Sequence, residues 1–241
     1  RDVLDKIKSF SEELQLIIVA GRTGSGKTAL LQTLQQKQQQ ILDLEDLASH
    51  RGSLLGQIPG QPQPGQRLFE SRLVQKLLQF DSGKPVFVES ESSRIGNLQI
   101  PAPLWLAITK APLVTLEVPL SARAEYLVSI YERLTSDSTD LLLLIDGMVR
   151  RHGYEITDYW RDLIKQQNWH DLAKSLLKAH YDPAYDQSVN RHGREEWLRF
   201  SLKDCSEEQR EITTYKIMSG LDKISYQQVL NPYKKEIELY K

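Results

Sequence analysis

With 241 residues, the chain is long enough for one sizeable α/β domain, or for a domain of about 120 residues with a helical part attached. Its 40% hydrophobic and 26% charged residues are typical of a soluble globular protein and argue against disorder, and no apolar run is long enough for a transmembrane helix. The formal net charge of −1 excludes a globally basic nucleic-acid-binding protein, so any nucleic-acid contact must come from a local patch.

The chain has a single cysteine, Cys205, which excludes an internal disulfide and a metal site built from several cysteines. It lies in a polar stretch typical of a helix start, and we interpret it as a thiol without a chemical role. No secretory signal peptide is recognisable. We therefore expect a cytoplasmic protein that does not contact a membrane.

The first segments of the chain predict a helix, a strand and a phosphate-binding turn. Residues 1–13 have apolar side chains at helical spacing, and residues 16–20 form a short apolar run typical of a buried strand. A helix is predicted from residue 29 to about Gln36. Between this strand and this helix the sequence has the pattern of a P-loop, Gly21-Arg22-Thr23-Gly24-Ser25-Gly26-Lys27-Thr28.

Each part of this motif has a physical role in phosphate binding. The glycines allow backbone conformations in which successive N–H groups point at a phosphate, and the helix N-terminus adds its partial positive charge. Lys27 is placed to contact the outer phosphate oxygens, and the Thr28 hydroxyl to ligate Mg²⁺ on the same phosphates. We assign phosphate binding to the whole loop and a catalytic role to Lys27.

Helices and strands continue to alternate up to Pro119. The sequence predicts strands at 40–44, 84–89 and 113–118, a loop at 57–65 and a short helix at 101–108. A further helix is predicted with one apolar face, formed by Leu68, Phe69, Leu73, Leu77 and Leu78. Because strands alternate with helices, we expect a mostly parallel sheet that binds its ligand at the carboxyl ends of the strands.

Beyond Pro119 the pattern becomes helical, and no further strand is recognised. Helices are predicted at 122–134, 141–152, 156–167, 169–181, 194–202 and 207–221, with breaks at 136–138, Gly153 and Asp182-Pro183. The predicted fold is α/β, with a P-loop NTPase-like core at residues 1–120 whose mostly parallel sheet is flanked by helices. A mostly helical C-terminal region at 121–241 is expected to pack on this core.

Acidic residues follow two predicted strands at the edge where the phosphate is expected. Asp43 ends the second strand, and Glu89 and Glu91 end the third, after an apolar run that resembles a Walker B segment. A carboxylate at this edge can hold a water of the Mg²⁺ shell or take up a proton. We assign Glu89 to metal binding and catalysis, Asp43 to catalysis and Glu91 to substrate binding; the alternative is that these are solvated strand ends.

Cationic and polar side chains border the same edge. His50, Arg51 and Ser53 follow the second strand, and arginine can hold phosphate oxygens in a bidentate manner. Arg123 follows the fourth strand, where a helix N-terminus also faces the ligand. We assign all four to substrate binding, against the alternatives of an exposed helix end and a surface ion pair.

The order of these motifs resembles the bacterial tRNA 2-selenouridine synthase family, also described as geranyl-2-thiouridine synthases. The His-Arg-Gly-Ser segment (50–53) and the Glu-Ser-Glu-Ser segment (89–92) make the resemblance specific, because a P-loop alone occurs in many families. The matching stretches are 21–28, 42–48, 50–56, 69–70, 88–92, 95–96, 100–101, 117–119 and Arg123.

The resemblance implies a transferase that modifies the wobble uridine of certain tRNAs. Family members geranylate the sulfur of 2-thiouridine from geranyl diphosphate and then replace the geranylthio group with selenium from selenophosphate. They join a P-loop domain to a rhodanese-like domain that carries the active-site cysteine. The matching stretches include no rhodanese segment and Cys205 does not match that cysteine, so we expect tRNA and a rhodanese domain, in cis or in trans, as partners.

Two other functions fit the same residues. A small-molecule kinase or ATPase also needs a strand, a P-loop, a helix and an acidic residue such as Asp43 after the second strand. A non-catalytic tRNA-binding module would leave the chemistry to a partner rhodanese domain. The residues alone predict phosphate binding and leave open which phosphate compound is bound.

Overall fold

The computed structural model describes residues 2–50, 61–90, 92–131, 138–192 and 196–223. The strands are β1 (Gln15–Gly21), β2 (Gln40–Leu42), β3 (Pro85–Glu89), β4 (Arg94–Ile95), β5 (Leu98–Gln99), β6 (Leu113–Glu117) and β7 (Glu196–Ser201). Five of them form one parallel sheet in the order β2-β3-β1-β6-β7, and β4 and β5 form a separate antiparallel hairpin. The α/β fold with a mostly parallel sheet is therefore confirmed.

Helices cover both faces of this sheet. They are α1 (Asp2–Glu13), α2 (Lys27–Gln36), α3 (Leu44–Leu47), α4 (Gln66–Leu77), α5 (Ala102–Lys110), α6 (Leu120–Ile130), α7 (Thr139–Lys165), α8 (Trp169–Leu176), α9 (Asp182–His192) and α10 (Glu207–Lys223). α1, α4 and α5 pack on one face, and α2 and α10 on the other. Because both faces are covered, Leu16 and Ile18 of β1 enter one core while Ile17 and Val19 enter the other.

The helices between β6 and β7 have a small core of their own. Trp160 is fully buried there among aliphatic side chains of α7 and α8, and its indole N–H donates to the Ser175 hydroxyl over 2.8 Å. α7 contains a kink at Gly153 (φ 79°, ψ 170°), which confirms the predicted break. α6 packs against α8 and so joins this helical region to the sheet.

Two predictions for the helical half are wrong. Residues 194–202 were expected to form a helix, but Glu196–Ser201 is the edge strand β7, paired in parallel with β6. The expected break at Asp182-Pro183 is also absent, because a π-helical turn (Leu177–Tyr181) leads directly into α9. Proline is tolerated in the first turn of a helix, where its missing N–H has no helical acceptor. The helical region therefore lies between two neighbouring strands of the sheet.

Smaller corrections concern the first half. Phe69, Leu73 and Leu77 of α4 are buried, but Leu68 and Leu78 are 50% and 62% exposed, so the predicted apolar face was too wide. The second strand ends at Leu42, before the predicted end at residue 44, because Asp43 already caps α3. The β4–β5 hairpin was not predicted. The other predicted elements are confirmed within the described residues. Residues 57–60 of the predicted loop, 132–134 of a predicted helix and 136–137 of a predicted break lie outside them.

Across the described ranges, no helix combines the length with the apolar character that crossing a bilayer requires.

Candidate phosphate-binding site

The P-loop joins the end of β1 to the start of α2. Gly24 (φ 81°) and Gly26 (φ 76°) have left-handed backbone conformations, which glycine adopts without strain. Gly26 is the N-cap residue of α2 and brings no side chain to cap the helix. The first N–H groups of an α-helix have no partner within the helix, so this end of α2 can bind an anion.

The loop is closely packed against its surroundings. A methyl group on Gly21 would lie 2.5 Å from the Ser25 hydroxyl, and one on Gly24 would lie 2.9 Å from the carbonyl oxygen of Arg123 in α6. Ser25 is buried, and its hydroxyl has no hydrogen-bond partner among the described residues. The conformation of the loop therefore depends on glycine at two positions and on the backbone of α6.

Lys27 and Thr28 both contact Glu89, the last residue of β3. The Thr28 hydroxyl donates to Oε2 of Glu89 over 2.8 Å, and the Lys27 ammonium lies 3.5 Å from Oε1. The side chains of Lys27 and Glu89 are only 13% and 10% exposed. Parallel pairing of β1 with β3 places Glu89 beside Val19, at the carboxyl end of the sheet. The structure thus brings together three of the residues that were predicted to act on the phosphate.

Asp43 lies close enough to Glu89 for their charges to interact. It caps α3 by accepting a hydrogen bond from the Asp46 N–H over 2.8 Å. Burial raises the pKa of Asp43, the hydrogen bond from Asp46 opposes this shift, and the negative charge of Glu89 adds to it. Asp43 therefore holds a proton more readily than an ordinary aspartate.

The donor set around Thr28 and Glu89 suits Mg²⁺. Hydroxyl and carboxylate oxygens are the ligands that Mg²⁺ prefers, and in phosphate sites it takes few protein ligands because phosphate oxygens and waters complete its shell. In the described part of the chain, His, Cys, Asp and Glu form no group of three or more that could hold a metal ion. A Mg²⁺ site made of the Thr28 hydroxyl, the Glu89 carboxylate and phosphate oxygens would not require such a group of three protein ligands.

The remaining predicted contacts have different outcomes. His50 follows α3 and is buried, and this burial lowers its pKa, so the ring is neutral at pH 7. Arg51, Ser53 and Glu91 lie outside the described residues. Their assignment to substrate binding stays a prediction.

Arg123 is tied to the P-loop and to α9. Its guanidinium donates to both carboxylate oxygens of Asp182, over 2.9 and 2.8 Å, and is 3% exposed. Nη1 also donates to the carbonyl oxygen of Thr23 over 3.1 Å, and Nε to that of Val118 over 3.2 Å. The direct contact of Arg123 with a phosphate stays a prediction, whereas its contact with the loop backbone is observed.

Arg22 forms a second, more exposed ion pair with α9. Its Nη2 donates to both carboxylate oxygens of Asp186, over 2.8 and 3.1 Å. The two side chains are 46% and 50% exposed. Sequence reasoning missed both aspartates, because Asp182 was interpreted as part of a helix break and nothing local connects either residue to the loop.

Cys205 was also missed as a neighbour of the P-loop. Its thiol donates to the carbonyl oxygen of Gly24 over 3.4 Å, across 181 positions of the sequence. Burial is the main cause that raises its pKa to about 11, with a smaller contribution from the charge of Asp204. A thiol with this pKa is protonated at pH 7 and is a poor nucleophile. We therefore assign Cys205 a packing contact with the loop and no chemical role.

Comparison with known proteins identifies relatives of this chain. A family model described as the tRNA 2-selenouridine synthase AAA domain matches residues 14–140. A protein named tRNA 2-selenouridine synthase from Marinobacter nauticus is 32% identical over 217 residues, which cover 78% of this chain and 58% of that protein. Another protein of the same name, from a Sulfurovum species, is 32% identical over 217 residues, which cover 79% of this chain and 58% of that protein.

The chain thus spans less than two thirds of the length of these two relatives, 58% of each. The solved structure of a shikimate kinase from Bacteroides thetaiotaomicron aligns with this chain at 16% identity and a TM-score of 0.38. The alignment covers 86% of this chain and 98% of the kinase chain. A likeness at that level identifies no function.

Proposed function

The chain belongs to the tRNA 2-selenouridine synthase family, and from this premise we propose that it is the P-loop part of an enzyme that modifies tRNA. In this proposal the loop binds the diphosphate of geranyl diphosphate, and the sulfur of a wobble 2-thiouridine accepts the geranyl group. Conversion to 2-selenouridine then uses selenophosphate and a rhodanese domain, in cis or in trans. The enzyme is a transferase acting on tRNA in the cytoplasm.

One observation carries the proposal: Lys27 and Thr28 converge on Glu89 directly beside a helix start that has no side-chain cap. This arrangement offers amide, ammonium and hydroxyl groups to a diphosphate in one place. Lys27 is paired with Glu89 in the structure. We propose that it transfers to the diphosphate when the substrate binds.

The chemistry requires two things from the protein. The C–S bond to the thiouridine forms as the C–O bond of geranyl diphosphate breaks, and the diphosphate leaves with the bonding electrons. Lys27 and the amides at the start of α2 stabilise the charge that develops on this leaving group. Mg²⁺, held by Thr28 and Glu89, would neutralise part of the same charge.

The second requirement is a base. Alkylation of the sulfur makes the ring nitrogen next to it lose its proton, and a nearby carboxylate must take that proton up. Asp43 suits this role because burial and the neighbouring charge of Glu89 raise its pKa. His50, Arg51, Ser53 and Glu91 are proposed to bind the substrate around this centre.

A ligand titration tests the proposal. The purified chain is titrated by calorimetry with geranyl diphosphate and with ATP, each with Mg²⁺, and phosphate release is measured in the ATP sample. We expect tighter binding of geranyl diphosphate, and a weaker dependence on Mg²⁺ in a Thr28→Val variant, which removes the hydroxyl but keeps the volume.

Other outcomes would support the alternatives. Tight ATP binding with phosphate release in the absence of tRNA would replace the proposal with the kinase or ATPase. Binding of thiolated tRNA without affinity for either phosphate compound would favour the tRNA-binding module, with its chemistry in a rhodanese domain.

A further inference from the structure

Besides the Arg22–Asp186 ion pair, the helical region contacts the backbone of the P-loop at Thr23 and Gly24. Arg123 of α6 donates from Nη1 to the carbonyl oxygen of Thr23, and Gly24 packs directly on the backbone of α6. Neither of these contacts involves the side chains of Lys27 or Thr28. They act on the peptide group between Thr23 and Gly24.

The orientation of this peptide group matters for the ligand. A peptide bond is planar and trans, so its N–H points away from its C=O. Because the Thr23 carbonyl is directed at Arg123, the Gly24 N–H is directed the other way. No acceptor for the Gly24 N–H occurs in the parts of the chain that the structure describes. The Arg123 bond thus fixes the direction of one amide that a bound phosphate can use.

The position of the Arg123 guanidinium is fixed in turn by Asp182. Its guanidinium is buried, and both terminal nitrogens donate to the two oxygens of Asp182 at the start of α9. A bidentate pair fixes the plane of a guanidinium as well as its place. Without the carboxylate, the long arginine side chain would keep only its bonds to two backbone carbonyls, those of Thr23 and Val118.

We propose that Asp182 is a positioning residue of the phosphate site, which holds Arg123 so that Arg123 orients the Thr23–Gly24 peptide group toward the bound phosphate. The inference rests on the proposed function, since it assumes that the loop binds a diphosphate. It adds a residue of α9, distant in sequence from every motif of the site, to the determinants of that binding.

The test uses inorganic pyrophosphate with Mg²⁺ as the probe and calorimetry on the whole 241-residue chain. Asp182→Asn keeps the volume of the side chain but removes the charge, and we expect its dissociation constant to rise roughly tenfold. Asp146→Asn is the matched control, because Asp146 also pairs with an arginine of the helical region, Arg161, away from the loop. The control is expected to bind like the wild type.

A double variant separates positioning from folding. Arg123→Met with Asp182→Leu replaces the buried pair with apolar groups of similar size, which proteins often tolerate well. If the pair serves only stability, this variant binds pyrophosphate like the wild type, and the inference is overturned. If it positions the peptide group, the folded double variant binds about as weakly as Asp182→Asn. Binding much weaker than that of Asp182→Asn would mean that Arg123 itself contacts the phosphate, and would overturn the inference.

The remaining outcomes are also decisive. Wild-type affinity in Asp182→Asn overturns the inference while the proposed function stands. A wild-type chain that binds neither pyrophosphate nor geranyl diphosphate overturns the proposed function, and the inference with it.

Discussion

The P-loop is held by two regions of the molecule in two different ways. On the side of β3, the contacts join side chains, Lys27 and Thr28, to the carboxylate of Glu89. On the side of α6 and α9, the contact joins Arg123 to a backbone carbonyl, and Asp182 supports it. A ligand can replace the first kind of contact, because the ammonium and hydroxyl are also phosphate and metal donors. The second kind is compatible with a bound ligand.

The two regions therefore divide the work of the site. In the proposed function, Lys27 and Thr28 of α2 and Glu89 of β3 act on the diphosphate, and the helical region holds the backbone of the loop. The two ion pairs of the helical region also differ in burial. The side chains of Arg123 and Asp182 are 3% and 15% exposed, whereas those of Arg22 and Asp186 are 46% and 50% exposed. Variants of these residues test this difference.

The largest effect is expected for Lys27→Ala. This change removes the ammonium that contacts Glu89 and, in the proposed function, the diphosphate, so geranyl transfer to thiolated tRNA should be abolished while the fold is retained. Transfer is measured by mass spectrometry of the tRNA nucleosides, with the unfolding midpoint as a check. Lys37→Ala, which removes an exposed partner of Glu211, is the control. Normal transfer by a well-folded Lys27→Ala protein would exclude Lys27 from the reaction.

A large loss of stability is expected for Arg123→Ala. The change leaves the Asp182 carboxylate, which is 15% exposed, with only the more distant Arg22, whose Nη1 lies 3.9 Å from Oδ2. Breaking a buried pair of this kind costs about 3–5 kcal/mol. Arg22→Ala removes the exposed partner of Asp186 and should cost only about 0–1 kcal/mol. Urea unfolding measures both free energies. Equal losses in the two variants would show that burial does not distinguish the pairs.

The last prediction concerns the helical region alone and depends on pH. His152 Nε2 lies 2.9 Å from His180 Nδ1. Burial is the main cause that lowers the pKa of His180 to about 4, and the charges of Arg151 and His152 lower it further. An unfolded histidine has a pKa of about 6.5, so between these values the unfolded chain binds more protons. The free energy of unfolding should therefore fall as the pH is lowered from about 6.5 to about 4.

His180→Asn is expected to reduce this slope, because asparagine does not titrate. Urea unfolding of both proteins near pH 7 and near pH 4.5 compares the two slopes. Identical slopes would mean that His180 takes up its proton equally in the folded and unfolded states. The P-loop variants should keep the wild-type slope if the two regions act independently.

The sheet could be predicted because its signals are local. The apolar run of β1, the glycines after it and the apolar run before Glu89 each lie within a few residues, and parallel strands bring their carboxyl ends together. For that reason the sequence placed Lys27, Thr28 and Glu89 at one edge. β7 was missed because its apolar residues also fit a helix, and only pairing with β6 makes it a strand.

The helical side of the site could not be predicted for a physical reason. Asp186 and Cys205 contact the loop across 164 and 181 positions, and Asp182 pairs across 59 positions with Arg123, which contacts the loop. No periodicity or motif encodes such distances. Asp182-Pro183 even carries a local signal for a break. In the structure, a π-helical turn nonetheless leads directly into α9, with Pro183 in the first turn of that helix.

The position of β7 at the end of the sheet also has a consequence for synthesis on the ribosome. The Ser201 hydroxyl of β7 donates to the Glu117 carboxylate of β6 across 84 positions, with the helical region made in between. A nascent chain therefore displays β6 as an open sheet edge, and the loop without Cys205 over it, until the whole helical region has emerged. Open edges invite wrong pairing, so folding of α6 to α9 beside this edge before β7 is synthesised would protect the growing chain.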